Sequence, residues 1–416
     1  MTSTPRTSTS LRAPGVVLFL AFVDVFALLP TVAPHVSALG AGPAGIGLAV
    51  GAYSAANLPA NIVGGILVDR VGRRRVTIAG LLAAAITVAA YAWATSVGTF
   101  VLVRVLHGVA GGILVPAVFA AAGDRARRGA EGRAFGRLGA VIGAAAVVAP
   151  ATAGVVRQAT GTDAVFLGVA VLLLLGAVVA AIGVHDAPPE QREATAARAV
   201  RAASPQALRA LLRLAPIRRA LLGTVALTGA VGVLAGFLPG TAEALGAPAS
   251  AVGGLFTAYA IVAAGLMLSP LAGRVDRTGA DGPLVVGLLV LGGALLLLSV
   301  APNLMVAVIG SALFGAGYGL IFPAVAAATS ASSTVATRGR AFGLFNVAFS
   351  LGIAIGPPAI GALAEALPGL DPFVPTAALA VVTAVGIAIM SGRGTPPEPV
   401  DDVFEEHGER GGPATP

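Results

Sequence analysis

Asp24, Arg104 and His107 are ionisable side chains set inside long apolar stretches of a 416-residue chain. A charge at mid-membrane depth costs about 2.5–3.5 kcal/mol even on the mildest scales, so such groups default to a functional reading. An acid among apolar side chains is equipped to take up and release a proton. Apolar surroundings favour the neutral acid, and a guanidinium nearby favours the carboxylate. Asp24 would load and unload a proton if its contact with Arg104 differed between two states. A fixed Asp24–Arg104 pair that merely ties two helices is the rival reading. His107 reads equally as a proton relay, since imidazole titrates near neutral pH, or as a polar side chain bonded to backbone. No Ser/His/Asp set, paired carboxylates or metal-ligand spacing accompanies these groups, and the chain has no Cys. Thiol chemistry, disulfides and iron–sulfur clusters are excluded, and neither an enzyme nor a cofactor nor a metal is implied.

The elements that position these residues follow from composition. Hydrophobic residues are 56% of the chain and charged residues only 11%, against about 25% charged in soluble domains; mean hydropathy is +0.91. So few charges cannot cover a water-exposed surface. The chain is read as an all-α membrane protein, since backbone groups in lipid are satisfied only within helices or closed barrels and the alternation that barrel strands need is absent. A helix crosses the hydrocarbon in about 20 residues. Spans 1–6 are predicted at 14–34, 44–67, 76–95, 98–122, 134–156 and 163–184. Spans 7–12 are predicted at 218–239, 248–272, 283–301, 303–330, 341–364 and 372–392. All 26 basic residues are Arg. All but Arg104, inside span 4, and Arg157, after span 5, fall on one side of this arrangement. The positive-inside rule then makes that side cytoplasmic, with both termini there and the protein in the cell's inner (plasma) membrane. Charge divided loop by loop in this way argues for topology and against a nucleic-acid partner. The basic, acid-free start resembles a signal peptide, but the following stretch is too long and carries Asp24 and Pro30, which makes it a retained first span.

The two halves repeat with an offset of 207 residues. Asp69, Arg70 and Gly72 reappear as Asp276, Arg277 and Gly279, and Arg133-Ala-Phe-Gly136 reappears as Arg340-Ala-Phe-Gly343. Gly108, Pro116, Pro150 and Gly154 likewise map onto Gly315, Pro323, Pro357 and Gly361. Six spans separate the copies, so the halves run parallel, which is one known plan for transporters. The expected organisation is a tail (1–13), a six-helix bundle (14–184), a linker (185–217), a second six-helix bundle (218–392) and a disordered tail (393–416). Residues 205–219 within the linker region read as a short amphipathic helix at the membrane interface.

Between spans 2 and 3 the chain reads Gly65-Ile-Leu-Val-Asp69-Arg70-Val-Gly72-Arg73-Arg-Arg75, which resembles the signature loop of the major facilitator superfamily. Arg104-Val-Leu-His107-Gly108 resembles that family's span 4 signature, with His107 where Gln is usual. Ala149-Pro150-Ala-Thr-Ala-Gly154 is a weakened form of the span 5 signature of proton antiporters, and Gly352-x-x-x-Gly356-Pro357 is a sharper version on span 11. Asp24 followed by Pro30-x-x-x-Pro34 is similar to the first helix of the 12-helix drug:proton antiporters. The resemblance covers 14–392 and implies two pseudo-symmetric bundles rocking about a midplane site.

It also implies a conformational latch built from Gly65, Asp69, Arg70, Gly72 and Arg73, with Asp276, Arg277, Arg133 and Arg340. Asp69 is expected to dock on the N-terminus of span 11 near Arg340, where the helix dipole is positive, and Asp276 on the start of span 5 near Arg133. Arg74 and Arg75 read as topological charges. By the same resemblance spans 1, 4, 7 and 10 line the cavity, making Phe26, Thr224, Thr228, Phe314, Tyr318 and Phe322 substrate-contact candidates. Asn57 with Asn61, and Asn346 with Ser350, share helix faces at i, i+4; they are candidates too, or interhelical glue. Pro150, Gly154, Gly352, Gly356 and Pro357 are read mainly as close-packing residues. The expected activity is proton-coupled efflux of a small, partly apolar organic compound by a monomeric carrier. Import of a small nutrient by symport or facilitated diffusion is the alternative.

Overall fold

A computed structural model of the chain describes residues 12–123, 131–186, 205–270, 279–334 and 337–392. Twelve spans thread these residues. Span 1 is broken into Arg12–Ala27 and Val32–Ala38, bent by 42°. Spans 2–6 are Pro43–Val71, Arg73–Ala90, Val97–Gly123, Glu131–Thr160 and Thr162–Gly183. Spans 7–12 are Ala215–Ala244, Ala249–Leu268, Asp281–Ser299, Leu304–Ala331, Arg338–Ala366 and Phe373–Gly392. The face carrying Arg12, Arg73 and Arg338 is called the basic face below, and the opposite one the far face.

The break in span 1 corrects the continuous helix expected over 14–34. Pro30 has no N–H and its ring crowds the preceding turn, while Pro34 cannot supply the N–H that the Pro30 carbonyl would accept. Tighter bonds fill the gap, from Leu29 N to Phe26 O and from Thr31 N to Leu28 O. Some helices run longer than the apolar windows because their polar ends lie beyond the hydrocarbon, while span 8, expected at 248–272, is described only to Leu268 as helix. Span 5, expected at 134–156, reaches Thr160, and span 7, expected at 218–239, reaches Ala244.

Each half has its own apolar core. Leu18, Leu81, Phe100, Phe166 and Leu173 anchor the first, and Leu227, Phe256, Leu291, Phe314 and Phe373 the second. Large apolar side chains also cover the outside, with Ile62 65%, Ile182 76% and Leu268 83% exposed. Helices apolar on both faces belong in a bilayer. The linker helix Pro205–Arg213 docks through fully buried Leu211 onto Ile217 of span 7 and Ala341 of span 11.

Glycine sets two features of this scaffold. Gly72 (φ 106°) and its repeat mate Gly279 (φ 81°) adopt a left-handed backbone at the turns that precede spans 3 and 9, a conformation that a side chain would oppose. Bare glycine faces also let spans touch backbone to backbone. Gly108, Gly111 and Gly112 of span 4 lie against Tyr53, Asn57 and Ala60 of span 2.

Candidate functional site

That close approach of spans 2 and 4 creates a buried polar cluster inside the first bundle. Asp24 of span 1 is 3% exposed, His107 fully buried and Arg104 9% exposed. His107 Nε2 lies 2.9 Å from Asp24 Oδ2. Its Nδ1 lies 2.9 Å from the hydroxyl of Tyr91, in the single 3₁₀ turn that closes span 3. Arg104 donates from Nε to Ala49 O at 3.1 Å and from Nη1 to the Tyr91 hydroxyl at 3.4 Å. Its guanidinium also stands 5.0 Å from the centroid of the Tyr53 ring, a cation–π contact. Asp24 Oδ1 is buried and has no hydrogen-bond partner.

These contacts correct the expected Asp24–Arg104 pair. The acid bonds to His107, and Arg104 reaches it only through Tyr91 and the imidazole. The His107 ring bonds a carboxylate and a phenol in this state, and not backbone as the second reading of that residue expected. Tyr53 and Tyr91 are functional-site residues that the sequence reasoning missed. Tyr91 sits in Tyr91-Ala-Trp93 at a span end, where aromatics ordinarily mark the membrane interface. Its only distinguishing property is full burial, which no local pattern carries. Asn57 donates to Gly108 O at 3.4 Å and Asn61 donates to Asn57, so both work as ties within and between spans 2 and 4.

Among the described residues the second bundle contains no equivalent cluster. Positions offset by 207 from Asp24, Arg104 and His107 hold Val231, Ser311 and Phe314. Among the substrate-contact candidates, Thr224 and Thr228 are buried and donate to carbonyls of their own span. Phe314 is fully buried, its ring edge-on to Tyr259 at 5.5 Å. Tyr318 and Phe322 stack at 5.7 Å, Phe345 of span 11 meets Phe322 edge-on at 5.9 Å, and Asn346 beside it is exposed. Phe26 is half-buried near Phe22. Tyr318, Phe322 and Phe345 thus form one aromatic wall, while Thr224, Thr228 and Phe314 serve packing in this state.

The two bundles meet on the far-face side along two seams related by the repeat. Spans 2 and 11 touch where Gly47 lies against the Pro357 carbonyl and Gly361 against that of Pro43. Spans 5 and 8 touch where Gly154 lies against Ala249 and Gly253 against the Pro150 carbonyl. Gly352 and Gly356 instead join spans 11 and 7, so these motif residues all sit at helix contacts. Polar clasps close the seams. Glu365 Oε2 accepts from Ala44 N at 2.9 Å, and Gln158 Oε1 accepts from Ser250 N at 3.2 Å. Gln158 and Glu365 are themselves 207 residues apart, so each span 5 or 11 end caps the start of a span in the other bundle. Arg157 adds a third clasp, to Glu243 of span 7 at 2.5 Å and to the Pro30 carbonyl at 3.2 Å. The carbonyl orphaned by Pro34 thereby finds its donor.

Toward the basic face, the glycine contacts of the far-face seams are not repeated among the described residues. A Cβ added at Gly65, Gly136, Gly139, Gly143, Gly339 or Gly343 would meet nothing within 4 Å. Asp69 is half-buried, and among the described residues no hydrogen bond or ion pair joins it to the start of span 11. Arg70 is exposed, Arg73 buried and Arg340 half-buried. Asp276 and Arg277, and the side chain of Arg133, lie outside the described residues. Arg74, expected to be a topological charge only, caps the end of span 6 by donating to Ala181 O at 2.6 Å.

Two six-span bundles, one of them holding a buried acid, clasped together at one end, have the architecture of a membrane carrier. The family model of the Major Facilitator Superfamily matches residues 15–233 and 220–414. The chain belongs to this superfamily and is a multi-pass membrane transporter, not an enzyme. It is 36% identical over 137 residues to Multidrug resistance protein 1 of Bacillus subtilis (strain 168), covering 33% of this chain and 34% of that one. It is 23% identical over 169 residues to Quinolone resistance protein NorA of Staphylococcus aureus (strain MRSA252), covering 41% and 43%. The matches thus span less than half the length of these relatives. A bacterial homolog of the human lysosomal transporter Spinster, solved inward-facing and unoccupied, shares the fold with a TM-score of 0.75. Its sequence is 17% identical, with 94% of this chain and 96% of that one covered.

Proposed function

We propose that the protein exports a small, partly apolar organic compound in exchange for protons, by alternating access between the two faces. One observation carries the reading: Asp24 is a buried carboxylate with a single partner and one unbonded oxygen. Oδ1 is the place for an incoming proton. Neutralising the acid removes the cost of a charge in apolar surroundings, so loading and emptying it biases which arrangement of the bundles is favoured. The second bundle holds no acid at the equivalent position, so coupling is assigned to the first bundle and substrate contact to the aromatic wall of Tyr318, Phe322 and Phe345, with Asn346 beside it. The relatives named for multidrug and quinolone resistance support export.

Arg placement orients the basic face to the cytoplasm, with both termini on that side of the inner membrane. The far-face clasps are then assigned to the outer gate, which is closed here. Asp69 and Asp276 are assigned to the inner gate, which engages helix N-termini in the opposite state.

The test is flux into inside-out vesicles with and without an imposed pH gradient, using a compound found by a tolerance screen of a deletion strain. Asp24→Asn should abolish gradient-driven transport while leaving gradient-independent exchange or binding in place. Full gradient-driven transport by that variant would refute the coupling role.

A further inference from the structure

We infer that Tyr91 is a positioning residue of the proton site: it fixes the tautomer of His107 and so confines the transported proton to Asp24. This rests on the proton-coupled reading above and deepens it. The argument is one of donor and acceptor counting. A guanidinium only donates, so Arg104 Nη1 gives its hydrogen to the Tyr91 oxygen. A phenol has one hydrogen of its own and two lone pairs. Among the described residues the only acceptor bonded to that hydrogen is His107 Nδ1, at 2.9 Å. Were Nδ1 protonated, the phenol would have to accept from both neighbours, and its own hydrogen would be stranded in a fully buried site. Stranding a buried donor is the costly outcome. Nδ1 is therefore bare, and the single ring hydrogen is on Nε2, donated to Asp24 Oδ2.

The consequence is a division of labour. His107 stays neutral and always points a donor at Asp24. An incoming proton binds at Oδ1, the oxygen without a partner, and the Nε2–H to Oδ2 bond survives because a carboxylic acid still offers an acceptor there. No hydrogen crosses the imidazole, and none leaves Arg104. The ionisable groups around the ring are Asp24 from span 1, Tyr53 from span 2, edge-on at 5.0 Å, Tyr91 after span 3 and Arg104 on span 4. Of these only Asp24 changes charge in the cycle. Without the Tyr91 hydroxyl, Nδ1 is free to take a proton, and the resulting imidazolium would hold Asp24 as its carboxylate to lower pH.

The experiment needs no substrate. The carboxylic-acid C=O band of Asp24, identified by its loss in Asp24→Asn, is titrated by infrared spectroscopy in purified, lipid-reconstituted protein. Tyr91→Phe should move the midpoint to acid by about one pH unit, a tenfold loss of proton affinity. The same substitution in a His107→Gln background should move it by a third of a unit or less, because an amide cannot ionise. A shift of equal size in both backgrounds, or none in either, would overturn the assignment. Should Tyr91→Phe fail to fold, ¹⁵N NMR of histidine-labelled parent protein decides. The chain has four His, and the His107 signal is the one lost in His107→Gln. Its Nδ1 must be unprotonated on both sides of the Asp24 transition; a protonated Nδ1 sinks the inference. An Asp24 band that never titrates would instead sink the proton-coupled reading itself.

Discussion

Gly154→Ala should open the far face. The Cβ it adds would stand 2.6 Å from the Ala249 carbonyl oxygen and 3.0 Å from Gly253 Cα. Both neighbours are backbone in the first turns of span 8, so no side chain can rotate away. Restoring an ordinary contact of 3.4 Å requires spans 5 and 8 to part by the difference, 0.8 Å. The Gln158–Ser250 bond, now 3.2 Å, would then exceed hydrogen-bonding length. Losing that bond costs about 1 kcal/mol, and overpacking a closed contact costs about 1–3 kcal/mol. The far-closed state should therefore lose roughly 2–4 kcal/mol, a shift of about 30- to 1,000-fold in the population ratio at 1.4 kcal/mol per decade. Because the chain has no Cys, Ala159→Cys and Ala244→Cys, both exposed at the far face but in different bundles, report on the gate without background. Spin labels there should show a longer distance population in Gly154→Ala. A distribution indistinguishable from the parent would refute the reasoning that this seam is a bare backbone contact holding the gate.

Glu365→Gln keeps an acceptor over the start of span 2 but removes the charge that favours a helix N-terminus, about 0.3–1 kcal/mol. It should shift the population ratio read by the same labels by a few-fold at low salt and less at high salt. Arg157→Gln strands the Pro30 carbonyl and loosens Glu243, whereas Glu243→Gln removes a partner that is 39% exposed. The Arg variant should destabilise the far-closed state by about 1–3 kcal/mol and the Glu variant by under about 1 kcal/mol; equal effects would count against the Pro30 contact. Leu211→Ala empties a fully buried position of the linker helix, at about 2–3 kcal/mol. Limited proteolysis should then cut within 205–213 faster than in the parent.

The twelve spans were legible because hydrocarbon imposes length and apolarity on each one separately, a property of local sequence. Asp24, Arg104 and His107 were legible for the same reason, since a polar side chain in an apolar run stands out without any knowledge of its neighbours. The partner of Asp24 was not. Arg104 and His107 are three residues apart and share one helix face, so spacing allowed either to meet the acid. The choice was made by Gly108, Gly111 and Gly112, which bring span 4 against span 2 and tie Arg104 to Ala49 O and the Tyr53 ring. Tyr91 was illegible altogether, because a tyrosine at a span end looks the same whether it turns to the interface or inward.

The sequence alone determined what each segment must be: which stretches cross the membrane, that the halves repeat, and that an acid lies within the first span. Tertiary structure alone decided what those pieces meet. The carbonyl freed by Pro34 takes its hydrogen from Arg157, more than a hundred residues away, and Asp24 takes its partner from span 4. Segment identity depends on a residue's own surroundings along the chain, whereas hydrogen-bond partners depend on how far each helix is rotated about its axis. That rotation is fixed only when all the spans pack together.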